Sequence, residues 1–179
     1  QFDIEKVVIT HHHEDHTGCA AYLQEELQLP VYMNELKLNS CMKRADYPLY
    51  RKVFWGKRKP FRAVAIGETF HSQHATWKVI HTPGHAIDHL AFLNTDTGQL
   101  FSGDLYCIER TRVALQGENI PELMGSIKRI LTYDFEDVFC SHAGYINHGR
   151  KALLRKLDFL LELQDSVMRL HNEGRTPKE

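Results

Sequence analysis

The feature that most constrains this sequence is a buried strand that runs directly into a cluster of histidines. Apolar residues within 4–10 predict the strand, and the chain continues as His11-His12-His13-Glu14-Asp15-His16. Because side chains alternate between faces along a strand, His11 and His13 project to the same side and can bind one metal ion together. Asp15 and His16 follow where the chain turns into a helix, and they can reach a second ion. Imidazole and carboxylate groups at this density suit zinc, and also iron or manganese.

Three later segments repeat this arrangement, in which an apolar strand is followed by one metal-binding type of side chain beside a glycine. They are Thr82-Pro83-Gly84-His85, Phe101-Ser102-Gly103-Asp104 and Cys140-Ser141-His142-Ala143-Gly144. Glycine lets the backbone turn tightly at each strand end. A single histidine-rich segment would also fit a solvated loop or the remnant of an affinity tag. Four segments of the same kind argue against that interpretation.

The order HxHxDH, TPGH, SGD and a late strand-end histidine resembles the metallo-β-lactamase superfamily, in its glyoxalase II-like hydrolase branch. The resemblance covers residues 2 to about 148 of the 179 in the chain. It implies an α/β fold, the four-layer αββα sandwich, in a single domain over residues 1–179. Members usually carry several strands before the first motif, and only a short stretch precedes it here. We therefore expect a domain that lacks most of its N-terminal sheet strands and has an exposed sheet edge.

The resemblance also implies roles for seven side chains around two zinc ions, with iron or manganese as alternatives. The first ion would be held by His11, His13 and His85. The second would be held by Asp15, His16 and His142, with Asp104 bridging the two ions. Metal-bound hydroxide would then attack the substrate, and Asp15 would be the catalytic residue that orients this nucleophile.

The other histidines have plainer interpretations. His12 falls on the opposite strand face and is expected to pack or support. His81 and His89 flank the TPGH loop and are expected to be hydrogen-bond partners of ligands. We interpret His71 and His74 as solvent-facing loop residues, and Cys107 as an ordinary buried thiol.

The resemblance also implies that residues 34–70, a basic and aromatic segment, form a cap over the metal centre. Between Lys37 and Arg62 the chain has nine Lys or Arg residues and one acid, Asp46, interleaved with aromatic side chains. This bias favours an anionic substrate with an apolar part, such as an acyl thioester. The alternative is that these cations only solvate a helical surface. A C-terminal helix is predicted over residues 150–172, with a leucine stripe along one side.

The function that these features indicate is metal-dependent hydrolysis of a thioester, or of another small ester or lactone. Two alternatives stay open: a nuclease acting on single-stranded nucleic acid with the same metal centre, and a non-catalytic metal-binding interaction module that forms a homodimer through the C-terminal helix. We expect a small anionic or ester substrate, and neither a membrane nor a nucleic acid as partner, since the formal net charge is only −1. The four cysteines are scattered without a CxxC pair, which predicts free thiols and a cytoplasmic location.

Overall fold

The computed structural model describes residues 3–176, which form two β-sheets with helices outside them. The smaller sheet has three parallel strands in the order β1-β2-β3, with Val7 opposite Val31 and Tyr32 opposite Val64. Its strands are β1 (Val7–Val8), β2 (Val31–Met33) and β3 (Val64–Ala65). The segments between them hold a 3₁₀ turn (Glu35–Lys37) and the helices α1 (Glu14–Thr17), α2 (Ala20–Glu26), α3 (Leu38–Cys41) and α4 (Leu49–Trp55). The first strand is therefore shorter in the structure than the prediction over residues 4–10.

The larger sheet has six strands that follow one another in sequence order across the sheet. Neighbours are antiparallel, except that β7 and β8 are parallel and are joined by a crossover through α5. The strands are β4 (Thr69–Ser72), β5 (Ala75–His81), β6 (Leu90–Asn94), β7 (Leu100–Gly103), β8 (Val138–Cys140) and β9 (Gly144–Ile146). The remaining helices are α5 (Ile120–Ile130) and α6 (Gly149–Asn172).

Helices α5 and α6 cover one face of the six-stranded sheet. Their buried side chains, including Ile127, Ile130 and Leu153, form the main core with Leu100 and Val138 of the sheet. The opposite face is aromatic: the ring of Phe70 contacts those of Trp77 and Phe92, and Trp77 contacts Phe101. A cavity of about 480 Å³ lies between these rings and residues 3–8, the segment that contains β1. Beyond that segment, α2 packs its alanines on the smaller sheet in a second core of Ile9, Ala20, Ala21, Val31, Met33, Cys41 and Phe61. The layers therefore run helix, sheet, sheet, helix.

The C-terminal helix α6 is buried along only part of its length. Leu153, Leu157 and Leu160 lie in the main core, whereas Val167 and Met168 are more than half exposed. The leucine stripe thus serves packing within this domain over its first three turns. None of the helices between residues 3 and 176 combines the length and the apolar character needed to span a bilayer.

Candidate metal centre

Three imidazole rings meet just beyond the carboxyl end of β1. Nδ1 of His13 lies 3.0 Å from Nε2 of His11 and 3.1 Å from Nε2 of His85, which reaches the group from the loop after β5. Tetrahedral nitrogen ligands of one zinc ion, each about 2.0–2.1 Å from the metal, lie about 3.3 Å apart. The three nitrogens therefore have a spacing that suits a single ion.

A second group lies beside the first and is more open. Oδ2 of Asp15 lies 3.6 Å from Nε2 of His16 and 3.4 Å from Nε2 of His142. Asp15 and His16 come from the short helix α1, and His142 follows β8. The side chain of His142 is 43% exposed, so this end of the centre faces solvent.

Asp104 connects the two groups. Its Oδ2 lies 3.3 Å from Nε2 of His85 and 3.1 Å from Nε2 of His142, while its Oδ1 lies 3.4 Å from Nε2 of His16. Nε2 of His11 is 4.0 Å away from the same carboxylate. The structure thus brings together all seven side chains singled out from the sequence, with a buried carboxylate in the middle.

Protonation in the first group favours metal binding. Burial and the neighbouring imidazoles lower the pKa of His11, and the same causes lower the pKa of His13 to about 3. Both rings are therefore neutral at pH 7 and keep a lone pair for a metal ion. Burial alone would raise the pKa of Asp104, but contact with His16 outweighs it and lowers that pKa, so the carboxylate is ionised.

Two buried polar atoms at the centre fit an ion better than they fit the protein alone. Nε2 of His16 and Oδ1 of Asp104 are inaccessible to water, and neither makes a hydrogen bond to any residue in 3–176. Buried polar atoms of this kind are rare because each costs about 1–3 kcal/mol. They belong to one of three ligand groups whose donor atoms lie within 4.8 Å of one another, namely His11, His16 and Asp104. The residues present therefore fit a bound metal.

Several supporting side chains orient the candidate ligands. Nδ1 of His85 lies 2.7 Å from a carboxylate oxygen of Glu118, in the loop before α5. Oγ1 of Thr10 lies 3.1 Å from Nδ1 of His11 and 3.4 Å from Nδ1 of His16. In both cases the partner fixes the ring nitrogen that faces away from the centre. Glu118 and Thr10 were not foreseen, because no motif or periodicity marks them.

His89 has the supporting role expected of it. The backbone N–H of Asp104 donates to its Nε2 over 2.9 Å, and its Nδ1 lies 2.7 Å from Oγ1 of Thr82. The residue is fully buried, and burial together with His85 lowers the pKa of His89 to about 3. A neutral ring that accepts at Nε2 must carry its proton on Nδ1, so His89 fixes the backbone position of Asp104.

Two glycines allow the close approaches on which these loops depend. Gly84 has φ +128°, and a Cβ there would lie 2.3 Å from the backbone nitrogen of Leu123 in α5. Gly103 has φ +51°, and a Cβ there would lie 2.6 Å from Nε2 of His89. Both positions sit directly before a candidate ligand, so a larger residue would displace that ligand.

The remaining singled-out residues lie outside the centre. His12 supports the loop through Asp88, with Nδ1 2.6 Å from its carboxylate, and His81 is exposed and contacts the carbonyl of Ile87. His71 and His74 are exposed, although His71 lies in β4 rather than in a loop.

Cys107 is not the ordinary buried thiol expected from the sequence. It is partly exposed, has φ +47°, and its Sγ lies 3.3 Å from the carbonyl oxygen of Asp104. A hydrogen bond from Cys107 also lowers the pKa of Cys140 to about 5. The same contact and burial raise the pKa of Cys107.

Comparison with known proteins agrees with this architecture. The family model described as "Metallo-beta-lactamase superfamily" matches residues 1–142, and the chain belongs to that superfamily. It is similar to the lactamase-like protein adaB of Aspergillus niger, at 30% identity over 93% of this chain and 45% of that protein. It is also 25% identical to an atrochrysone carboxyl ACP thioesterase of Aspergillus fumigatus, over 88% of this chain and 44% of the relative. The chain thus spans less than half the length of these relatives.

Among solved structures, TTHA1623 in a di-iron-bound form is 30% identical, with a TM-score of 0.64 over 82% of this chain and 74% of that one. The α/β metallo-β-lactamase fold expected from the sequence is therefore confirmed.

Proposed function

We propose that this domain is a glyoxalase II-like hydrolase that cleaves thioesters with a two-metal centre. The observation that carries the proposal is the position of Asp104, whose single carboxylate lies within 3.1–3.4 Å of imidazoles from both ligand groups. A carboxylate shared in this way is the arrangement that a pair of ions a few ångströms apart requires.

In the proposed centre, the first ion would be held by His11, His13 and His85 and the second by Asp15, His16 and His142, with Asp104 shared. When bound, two such ions lower the pKa of a water molecule to near neutrality and polarise the carbonyl of the substrate.

The protein's own residues supply the remaining functions. The neutral rings of His11 and His13 add no negative charge, so the positive potential at the carbonyl oxygen is preserved for the transition state. Asp15 lies beside the solvent-facing His142. It would accept a hydrogen bond from the attacking water and hold the lone pair of that water toward the carbonyl carbon. The partial exposure of His142 marks the side from which substrate enters.

The relatives support a thioester as the substrate and keep iron open as the metal. One of them is named an acyl carrier protein thioesterase, and a structural neighbour was obtained in a di-iron-bound form. The set of five imidazoles and two carboxylates suits zinc, which we take as the resident metal. The four unpaired cysteines are consistent with a cytoplasmic protein.

Metal analysis combined with a substrate panel tests this proposal. The purified chain should bind about two equivalents of zinc and should hydrolyse acyl-coenzyme A or S-lactoylglutathione faster than a β-lactam, a lactone or an oligonucleotide. Substitution Asp104→Ala should abolish turnover and lower the zinc content. The exposed Asp134→Ala is the matched control and should leave both unchanged. Preferential cleavage of the oligonucleotide would refute the thioesterase and support the nuclease.

A further inference from the structure

Helix α4 turns its apolar side chains toward solvent. Leu49, Val53 and Phe54 are 76%, 74% and 77% exposed, and Tyr50 and Trp55 are exposed by more than half. No residue of this helix is buried. A surface helix normally directs its apolar side toward the core, so a contiguous apolar surface of this kind indicates a binding site.

An ion pair fixes α4 beside the candidate metal centre. Nη2 of Arg51 donates to Oε2 of Glu14 over 2.7 Å, and its Nε donates to the other oxygen of that carboxylate. The side chain of Glu14 is 4% exposed and lies between His13 and Asp15 in the first ligand motif. A two-point contact of this type sets both the position and the orientation of the helix.

The ion pair also determines which side of α4 faces the centre. At about 100° per residue, Phe54 and Trp55 lie within about 60° of Arg51 around the helix, whereas Val53 lies on the far side. Phe54 and Trp55 therefore point to the side where the centre is, yet both remain exposed. The two aromatic rings therefore lie on the side of α4 that carries the contact with Glu14, and both are accessible to a ligand.

The charge of the surrounding chain limits what can occupy this space. Residues 37–62 carry nine cations and one acid, which gives this segment a net charge of +8. Because the net charge of the whole chain is −1, the remaining residues together carry −9. A ligand that combines negative charge with a hydrocarbon chain complements both features.

We propose that Phe54 and Trp55 bind the acyl chain of a long-chain, phosphate-bearing thioester, such as an acyl-coenzyme A or an acyl phosphopantetheine, while the basic segment attracts its phosphates. This inference rests on the proposed function and specifies its substrate class. The position of Phe54 and Trp55 on the side of the centre favours a substrate as the ligand. A membrane or a second protein would instead contact the far side of α4, at Leu49 and Val53.

Trp55 itself provides the assay. The chain has two tryptophans, so Trp77→Phe leaves Trp55 as the only tryptophan emitter. The zinc-loaded full chain is titrated with two non-hydrolysable thioethers, S-decyl-coenzyme A and S-ethyl-coenzyme A. The decyl compound should shift the Trp55 emission to shorter wavelength and bind at least about tenfold more tightly than the ethyl compound.

Two exposed substitutions on opposite sides of α4 distinguish the near side from the far side. Phe54→Ser should weaken binding of the decyl compound about tenfold without changing that of the ethyl compound. Val53→Ser is the control and should change neither. Equal effects of the two variants, or an equal shift with vesicles of anionic phospholipid, would overturn the inference in favour of a membrane or protein surface.

Turnover separates failure of this inference from failure of the proposed function. If decanoyl- and acetyl-coenzyme A are hydrolysed with equal kcat/KM and the emission of Trp55 does not change, the acyl site is refuted and the proposed thioesterase function stands. Binding of the decyl compound at Trp55 without hydrolysis of any thioester supports the acyl site and refutes the thioesterase.

Discussion

Removal of Glu118 should weaken metal binding, although this residue is not itself a candidate ligand. Nε2 of His85 faces His13, and its Nδ1 lies 2.7 Å from Glu118. If Nε2 gives its lone pair to a metal, Nδ1 must carry the proton and donate it to the carboxylate. Burial would raise the pKa of Glu118, but His85 outweighs it and lowers that pKa, so the carboxylate is ionised.

The expected magnitude follows from what each substitution removes. Loss of such a partner typically reduces metal affinity or activity by about 10–100-fold, equivalent to roughly 1.4–2.7 kcal/mol. Glu118→Gln keeps an acceptor oxygen and removes the charge, so it should cost about tenfold. Glu118→Ala removes both and also leaves the backbone N–H of Leu115 without its 2.7 Å acceptor, so it should fall near the upper limit.

Zinc affinity is measured by competition with a chromophoric chelator, and kcat/KM is measured on the same samples. Glu122→Gln is the control, because Glu122 is exposed in the first turn of α5 and directs no charge at the centre. Glu118→Ala with wild-type affinity for both equivalents of zinc would refute the role assigned to His85 and its partner.

Asp104→Asn keeps the size of the side chain but removes its charge, and the chain should then bind about one equivalent of zinc rather than two by metal analysis. Gly84→Ala should lower the unfolding free energy by about 1–3 kcal/mol in urea, since it adds strain at a positive φ and overlaps Leu123; an unchanged midpoint would contradict this. Lys156→Met should destabilise by about 1–3 kcal/mol, because buried Lys156 donates to the carbonyls of Tyr106 and Ile108 at 2.5 and 3.1 Å; thermal melting at constant metal concentration measures it.

The strands of the main core could be predicted from sequence because they are apolar on both faces or alternate clearly. All five residues of β6 are buried, β7 ends at Gly103, and β8 ends two residues before His142. The strands β3, β4 and β9 were missed, since their residues are mostly exposed and only pairing with a neighbour defines them. Sequence periodicity reports burial, and it carries little signal where a strand lies at an edge.

The candidate ligands could be located because they follow apolar strands in four short motifs, and the three later motifs each contain a glycine. The residues that support these ligands could not be located from the sequence. Glu118 is 33 residues from His85 and Arg51 is 37 residues from Glu14, and no local pattern connects these pairs. Ordinary acids and bases acquire such roles only through tertiary packing. The composition of residues 37–62 did indicate a basic surface, but it could not show that α4 directs its apolar side outward.

The candidate ligands divide between the two sheets, and under the proposed function this division would make folding depend on metal supply. Four of them follow β1 of the smaller sheet, and the other three follow β5, β7 and β8 of the larger one, where backbone contact between the layers includes Leu90 N–H to the Thr10 carbonyl at 2.8 Å. Ions bound in the proposed centre would connect the two layers, and a thousandfold excess of metal over its Kd would then contribute about 4 kcal/mol to stability. A cell starved of metal would then lose this domain by unfolding and proteolysis as well as by inactivation.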